Sequence, residues 1–419
     1  MYLKGIGLVA AIAGLMGCNA PSAVDEAGTA PPARRAPPML PPADNAQAAV
    51  DLLEGQAEFG VKLYQRLGAK QGNVFISPVS ISTALGMVYA GAEGQTAAEM
   101  AQALRYPSGA IHEPMGDLLG RLPIDLDGRM VRIANALWVQ KDFQLRPQYT
   151  SLVARHYGGG ASSVDFVGNP AEAAGTINHW AEEKTAGRIK GLLQRSNITA
   201  DTRLILTNSV YFKGDWLKPF RADQTGQRPF MLPGGRTVPA TFMRQRHNFR
   251  VLRQPTFEAL EMPYKGEELS MILFVPERPD GLDEFERELT GRKLGGWISA
   301  LKAEQPGDVE LVMPKMQLTT RASLVPELQA LGMQRAFTGG AELGGISDVR
   351  LRLSDVIHQT FLLVDEKGTE AAAVTAGIAE IVSMPRQFHA NRPFFFLIRD
   401  NRTGAILFMG RYTEPAAAA

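Results

Sequence analysis

The sequence predicts an α+β fold, and three observations carry that reading. Helical periodicity dominates the first half of the chain, strand-like runs dominate the second, and no regular β-α-β alternation links them. From about residue 46 the pattern is globular without a second linker or an internal repeat. The 419 residues contain 44 Lys+Arg and 43 Asp+Glu, with 45% apolar and 21% charged residues, which are ordinary globular values. Two or three domains would be the usual expectation for this length, though one large domain also fits. A net charge of +1 argues against a dedicated nucleic-acid binder.

The elements follow in order. Val50, Leu53, Ala57, Val61, Tyr64 and Leu67 recur at helical spacing and predict a long amphipathic helix. Asn73-Val74-Phe75-Ile76 reads as a short strand, after which Ser77 stands as the N-cap of a helix with Pro78 in its first position. Thr96 and Glu99 have the spacing of a capping box. Met130–Gln140 and Arg203–Phe212 read as strands, and Arg228–Pro276 as a dense series of strands broken by Pro and Gly turns. Leu351–Asp365 reads as one long strand. Phe394–Arg399 and Ala405–Tyr412 form a hairpin across Asp400–Gly404.

Ahead of this domain lies a different kind of sequence. Lys4 precedes an apolar run from Ile6 to Met16, eleven residues long and too short to span a bilayer of about 30 Å. It fits the core of a secretory signal. The run ends Leu15-Met16-Gly17-Cys18, which resembles the lipobox of bacterial lipoproteins. That resemblance implies removal of residues 1–17, acylation of Cys18, export, and anchoring to a bacterial membrane. Asn19, rather than Asp, follows the cysteine, so retention in the inner membrane is not favoured. A plain signal peptide with an incidental cysteine is the alternative. Residues 18–45 hold seven prolines among alanines and small polar residues and read as a disordered tether.

Enzyme and metal signals are weak. Cys18 is the sole cysteine, so an intramolecular disulfide and a cysteine-built metal cluster are excluded. The six histidines show no HExxH or HxxxH spacing, and no metal or other cofactor is expected. GxSxG, GxxxxGK and GxGxxG are missing, so nothing marks a hydrolase or a nucleotide site.

The informative stretch begins at Asp365-Glu366-Lys367-Gly368 and runs to Pro385. About twenty mostly small, uncharged residues lie between two strands, and connections of that length are usually functional. Thr369, Ala371, Ala373, Thr375, Gly377 and Ala379 alternate as small neutral residues, while the other set holds Glu370 and Glu380. This is strand periodicity with one buried face. Gly368 supplies a hinge. The segment reads as a loop able to become a strand inside an existing sheet.

Here the chain resembles the serpins, the serine-protease-inhibitor superfamily. Glu366-Lys367-Gly368-Thr369-Glu370-Ala371-Ala372-Ala373 matches the family's proximal hinge, and Phe388 to Phe396 its C-terminal signature. Asn73 to Ile81, with Ala84-Leu85 and Gly91-Ala92, matches its second helix. Thr207 to Trp216 matches a central strand, and Asn178 through Leu193 supplies a fifth motif in family order. The resemblance covers residues 46–415, leaving 416–419 as a tail. It implies three β-sheets, eight or nine helices and an exposed reactive-centre loop. It places Ser77, Ser80, Asn208 and His358 in a hydrogen-bonded shutter beneath the opening sheet, and Trp216 at the breach where insertion starts.

The resemblance further implies an inhibitor without catalytic residues. A serine protease attacks the loop, and the cut loop inserts as a new central strand while the acyl-enzyme is trapped. Family spacing from Gly368 sets the cut between Val382 and Ser383. Val382 is small and β-branched and suits an elastase-like pocket, with a subtilisin-like one as the alternative. Pro385 disfavours cleavage after Met384, and cleavage after Arg386 would make the loop four residues too long. A non-inhibitory carrier, chaperone or surface-binding role is the alternative. Gly109–Met130 has no basic cluster, so no heparin-type cofactor is expected. The basic run Met243–Arg250 reads as a solvated strand surface, and the protein is expected to act as a monomer.

Overall fold

Helix formation near the start of the domain is governed by which face must be buried. The computed structural model describes residues 43–69, 72–122, 124–126, 129–369 and 384–415. Among these are nine α-helices: α1 (Ala43–Gly68), α2 (Pro78–Tyr89), α3 (Gly94–Leu104), α4 (His112–Arg121), α5 (Pro147–Tyr157), α6 (Pro170–Lys184), α7 (Leu282–Glu288), α8 (Gly291–Ala303) and α9 (Val325–Ala330). Of the stripe expected on α1, Val61, Tyr64 and Leu67 are buried and Leu53 and Ala57 half-buried, but Val50 is exposed; Leu52, Phe59 and Leu63 complete the buried face. The helix begins at Ala43, three residues before the expected start, so 43–45 extend the helix rather than the tether. α2 is apolar or small on every side and is buried from Pro78 through Val88.

The strands are β1 (Val74–Ile76), β2 (Ile124–Leu126), β3 (Arg129–Gln140), β4 (Gly160–Val164), β5 (Leu204–Asp215), β6 (Gly226–Met231), β7 (Thr237–Arg253), β8 (Phe257–Pro263), β9 (Leu269–Pro276), β10 (Gly307–Pro314), β11 (Met316–Ser323), β12 (Asp355–Val364), β13 (Gly368–Thr369), β14 (Arg386–His389), β15 (Phe394–Asp400) and β16 (Ile406–Tyr412). The main sheet runs β11-β12-β5-β3-β2, with β13 on β5 and β4 on β3. The other strands form two sheets joined through β7. Its residues to Phe249 pair with β10, and those from Arg250 pair with β8. The expected three sheets are therefore present, two of them sharing one long strand. Together those two read as a continuous order β1-β16-β15-β9-β8-β7-β10-β14, with β6 also on β7.

Three local expectations are corrected. Thr96 does not cap a helix, because α3 starts two residues earlier at Gly94, with Glu93 as its N-cap. The Thr96 hydroxyl instead accepts from the Glu342 backbone N–H, and the Glu99 carboxylate accepts from the Gln334 and Arg335 N–H groups. Ser77 does occupy the N-cap of α2, but its hydroxyl donates to the Leu407 carbonyl at 2.6 Å. β12 starts at Asp355, not Leu351. Leu351 and Leu353 are buried in the core outside the sheet, so hydrophobicity alone extended the strand too far. The hairpin at the C-terminus is confirmed, with a register shift between Ile398 and Arg399.

One hydrophobic cluster lies between the main sheet and the joined sheets, where Phe75 stacks on Phe408 with centroids 4.8 Å apart. A separate cluster sits under α6, where Trp138, Ile177, Ala181, Ile205 and Ile357 pack together. α6 thus covers β3, β5 and β12. Its return segment is pinned by Asn178, whose side chain donates to the Leu193 carbonyl and accepts from the Leu193 N–H.

Candidate functional site: the seam between two central strands

β5 and β12 are parallel neighbours inside a sheet whose adjoining ladders, β3 with β5 and β11 with β12, are antiparallel. The parallel ladder runs from Asp355 opposite Ile205 to Phe361 opposite Tyr211. Parallel pairing is slightly weaker per residue than antiparallel pairing. A strand running antiparallel to both would replace that one ladder with two stronger ones.

Beneath the seam lies a buried polar network. His358 of β12 is opposite Asn208 of β5, and both are buried. His358 Nδ1 bonds Asn208 Oδ1, and the Ser77 N–H donates to His358 Nε2 at 3.4 Å. Those partners define a neutral imidazole protonated on Nδ1. Burial pushes its pKa down from 6.5 to about 3, which holds it neutral. The Asn208 amide donates to Ser80 Oγ and to Asn135 Oδ1. Nearby, Thr360 Oγ1 donates to the Phe75 carbonyl at 2.6 Å, and the Phe75 N–H donates to Thr320 Oγ1 at 3.0 Å. Buried polar groups in low dielectric demand such partners, so the network fastens β1 and α2 to the seam.

The upper end is built differently. The ladder stops at Phe361–Tyr211, and β13 takes its place beside β5, with Gly368 opposite Asp215 and Thr369 opposite Gly214. Between β12 and β13 the chain makes a tight turn. The Asp365 N–H donates to the Gly368 carbonyl at 2.9 Å, and Asp365 Oδ1 accepts from the Lys367 N–H at 2.9 Å and the Gly368 N–H at 3.3 Å. The Trp216 indole donates to the Asp365 carbonyl at 3.0 Å, its backbone N–H donates to the Lys367 carbonyl at 2.9 Å, and its ring stacks on Tyr264 with centroids 4.5 Å apart. The Phe220 N–H donates to the Glu366 carbonyl. Burial alone would raise the Glu366 carboxyl, but the Lys315 ammonium at 2.7 Å holds it below the usual range. Gly368 has φ +156°, and a Cβ there would stand 2.1 Å from the Gly214 carbonyl oxygen. No other residue type fits this backbone approach.

The structure brings Ser77, Ser80, Asn208 and His358 into one network, and places Trp216, Glu366, Gly368 and Thr369 at the other end of the same seam. Glu370, Ala371, Ala372, Ala373, Val382, Ser383 and Cys18 lie outside the described residues. Arg386 is committed elsewhere: it sits in β14 opposite Val309, with its guanidinium on Glu258 at 3.0 Å. Sequence reasoning missed Asn135 and Asp365. Asn135 carried no motif, and its place opposite Asn208 follows from the β3–β5 register. Asp365 was visible as an Asx-turn former before Gly368. The basic run on β7 is a strand surface as expected, its half-exposed Arg244, Arg246 and Arg250 paired with Glu310, Asp308 and Glu261.

A family model described as Serpin (serine protease inhibitor) matches residues 54–415. The chain belongs to the serpin family. It is 40% identical over 367 residues to an uncharacterized serpin-like protein of Thermococcus kodakarensis, covering 85% of this chain and 84% of that one. It is 37% identical over 355 residues to a leukocyte elastase inhibitor of Xenopus laevis, covering 82% and 93%. Among solved serpin structures, uncleaved ovalbumin superposes with a TM-score of 0.80 at 27% identity, covering 87% of this chain and all of that one. The native state of the thermophilic serpin tengpin gives 0.79 at 26% identity, covering 87% and 94%.

Proposed function

We propose that this serpin inhibits serine proteases by letting one cut its loop and then inserting the cut segment between β5 and β12. The observation that carries this reading is the placement of β13. The hinge already lies antiparallel to β5 at the top of a seam closed by a parallel ladder. Lengthening β13 by zipping downward would exchange that ladder for two antiparallel ones. In this register Ala371 and Ala373 would come opposite Leu362 and Thr360, which are buried, and Glu370 opposite the half-buried Leu363. Small residues would go inward and the carboxylate outward, as insertion requires. No catalytic side chain is needed, since the attacking protease supplies the chemistry and the serpin supplies a scissile bond and a strand.

Val382–Ser383 is the bond we assign, on family spacing and on the fit of a small β-branched side chain to an elastase-like pocket. The relatives named leukocyte elastase inhibitor support that preference, and the commitment of Arg386 to β14 and Glu258 supports it further. Mixing the protein with pancreatic elastase should give an SDS-resistant covalent band and a released peptide beginning at Ser383. A cleaved product without a band would favour the non-inhibitory alternative. We also propose that Cys18 carries a lipid and holds an exported monomer on a bacterial membrane without a glycosaminoglycan cofactor. Cys18→Ser should then release the protein or leave it unprocessed.

A further inference from the structure

We propose that Asp365 is a positioning residue that fixes the register of the inserting strand before the protease arrives. This rests on the insertion reading above and goes beyond it. In an ordinary two-residue hairpin the closing pair exchanges two backbone hydrogen bonds. Here one backbone bond forms, from the Asp365 N–H to the Gly368 carbonyl. The Asp365 carbonyl is occupied by the Trp216 indole. The Asp365 carboxylate takes over as acceptor for the Gly368 N–H and holds the Lys367 N–H as well. The side chain thus closes a turn that the backbone leaves half open.

What this turn fixes is a match between three registers. Gly368 has Asp365 as its partner across the turn and Asp215 as its partner on β5. Counting four residues upward from Phe361 and Tyr211, the last pair of the β12–β5 ladder, reaches Asp365 and Asp215. The two flanking strands are therefore already aligned so that a strand starting at Gly368 pairs correctly with both. A turn lengthened or shortened by one residue would offset the strand from β12, and its small side chains would face the wrong side. With the turn preset, insertion has no register search to make, and it competes with deacylation from its first residue.

The test compares Asp365→Ala and Asp365→Asn with the wild type. The asparagine keeps a side-chain oxygen able to accept both N–H groups, and the alanine does not. With pancreatic elastase, Asp365→Ala should divert encounters from covalent complex to cleaved product by about tenfold, the effect of losing about 1.4 kcal/mol of hydrogen bonding. Its kcat/KM for loop cleavage should stay near wild type, its thermal midpoint before cleavage should fall only by what the two lost hydrogen bonds account for, and Asp365→Asn should restore both the midpoint and the partition. A parallel series cut with thermolysin, a metalloprotease that forms no acyl-enzyme, reads insertion alone through the time course of acquired heat resistance, which Asp365→Ala should slow. Wild-type protein that gains heat resistance, with Asp365→Ala gaining it equally fast and forming complex equally well, would overturn the clamp and leave the inhibitor reading standing. So would an asparagine variant as impaired as the alanine. Wild-type protein that gains no heat resistance after cleavage would overturn the insertion reading, and the clamp with it.

Discussion

The two ends of the β5–β12 seam are closed by different physics. At the lower end the strands share a parallel ladder above a dry network in which His358, Asn208, Ser80 and Asn135 satisfy one another. At the upper end the seam is held by a carboxylate-closed turn, an indole bond and a half-exposed ion pair between Lys315 and Glu366. Opening the lower end first would expose several buried polar groups at once. Opening from the top breaks contacts that water replaces at little cost. A strand that starts at Gly368 therefore meets the weak closure first and the strong one later. If the segment after Gly368 inserts as proposed, this difference would give insertion a direction, from the weaker closure toward the stronger.

The hardest challenge to this picture comes from charge on the inward face. In the proposed insertion, with Thr369 in register with Gly214, Thr369→Arg would have to bury an unpaired cation, at a cost of several kcal/mol. The variant should be cleaved normally by elastase yet form almost no covalent complex, and its cleaved form should melt at the temperature of the intact one. Abundant complex from Thr369→Arg would break the proposed direction of insertion.

The lower closure is probed next by Asn208→Ala. The change leaves His358 Nδ1, Ser80 and Asn135 short of partners, and each buried orphan costs about 1–3 kcal/mol. Calorimetry of the intact form should show a clear fall in midpoint, larger than for any single change at the upper end.

A pH series sharpens the same point. The folded His358 value lies near 3 and the unfolded value near 6.5, so the unfolded chain takes up the proton first. The contribution of this group to stability is whole above about pH 6.5 and is lost as pH falls toward 3, amounting to about 2 kcal/mol at pH 5. His112, His247 and His389 are also lowered, each chiefly by burial, and add the same sign of dependence. The informative quantity is the difference between wild type and His358→Gln in urea unfolding of the intact form at pH 7.5 and pH 5. The variant should lose less stability over that interval. Equal losses would remove His358 as the seat of the effect.

The smallest effect belongs to Lys315→Ala. Its side chain is 39% exposed, and an ion pair of that kind is worth about 0–1 kcal/mol. Urea unfolding should shift only slightly, and inhibition should stay near wild type. A loss comparable to Asn208→Ala would mean that the upper end is not the weak closure.

Much of this site was legible in advance for identifiable reasons. The helix opening at Pro78 after the short strand Val74–Ile76, and the glycine at 368, are local patterns, and local patterns survive in a linear string. The network was half legible: Ser77, Ser80, Asn208 and His358 came from motif positions, whereas Asn135 came from none. Its role depends on the β3–β5 register, which brings it opposite a residue 73 positions away. The Thr96–Glu99 spacing misled because Glu342 and the backbone around Gln334 compete for those side chains from far along the chain.

By itself the sequence determined the α+β class, the order of the main elements and the glycine at 368. Each is written in spacing and side-chain size over a few residues. Tertiary structure alone decided that β5 and β12 lie side by side in parallel, that Trp216 takes the Asp365 carbonyl, and that the turn and the ladder share one register. Those facts depend on contacts between residues about 150 positions apart. Long-range partners are chosen when strands pair and cores pack, and no local spacing encodes which strand becomes whose neighbour.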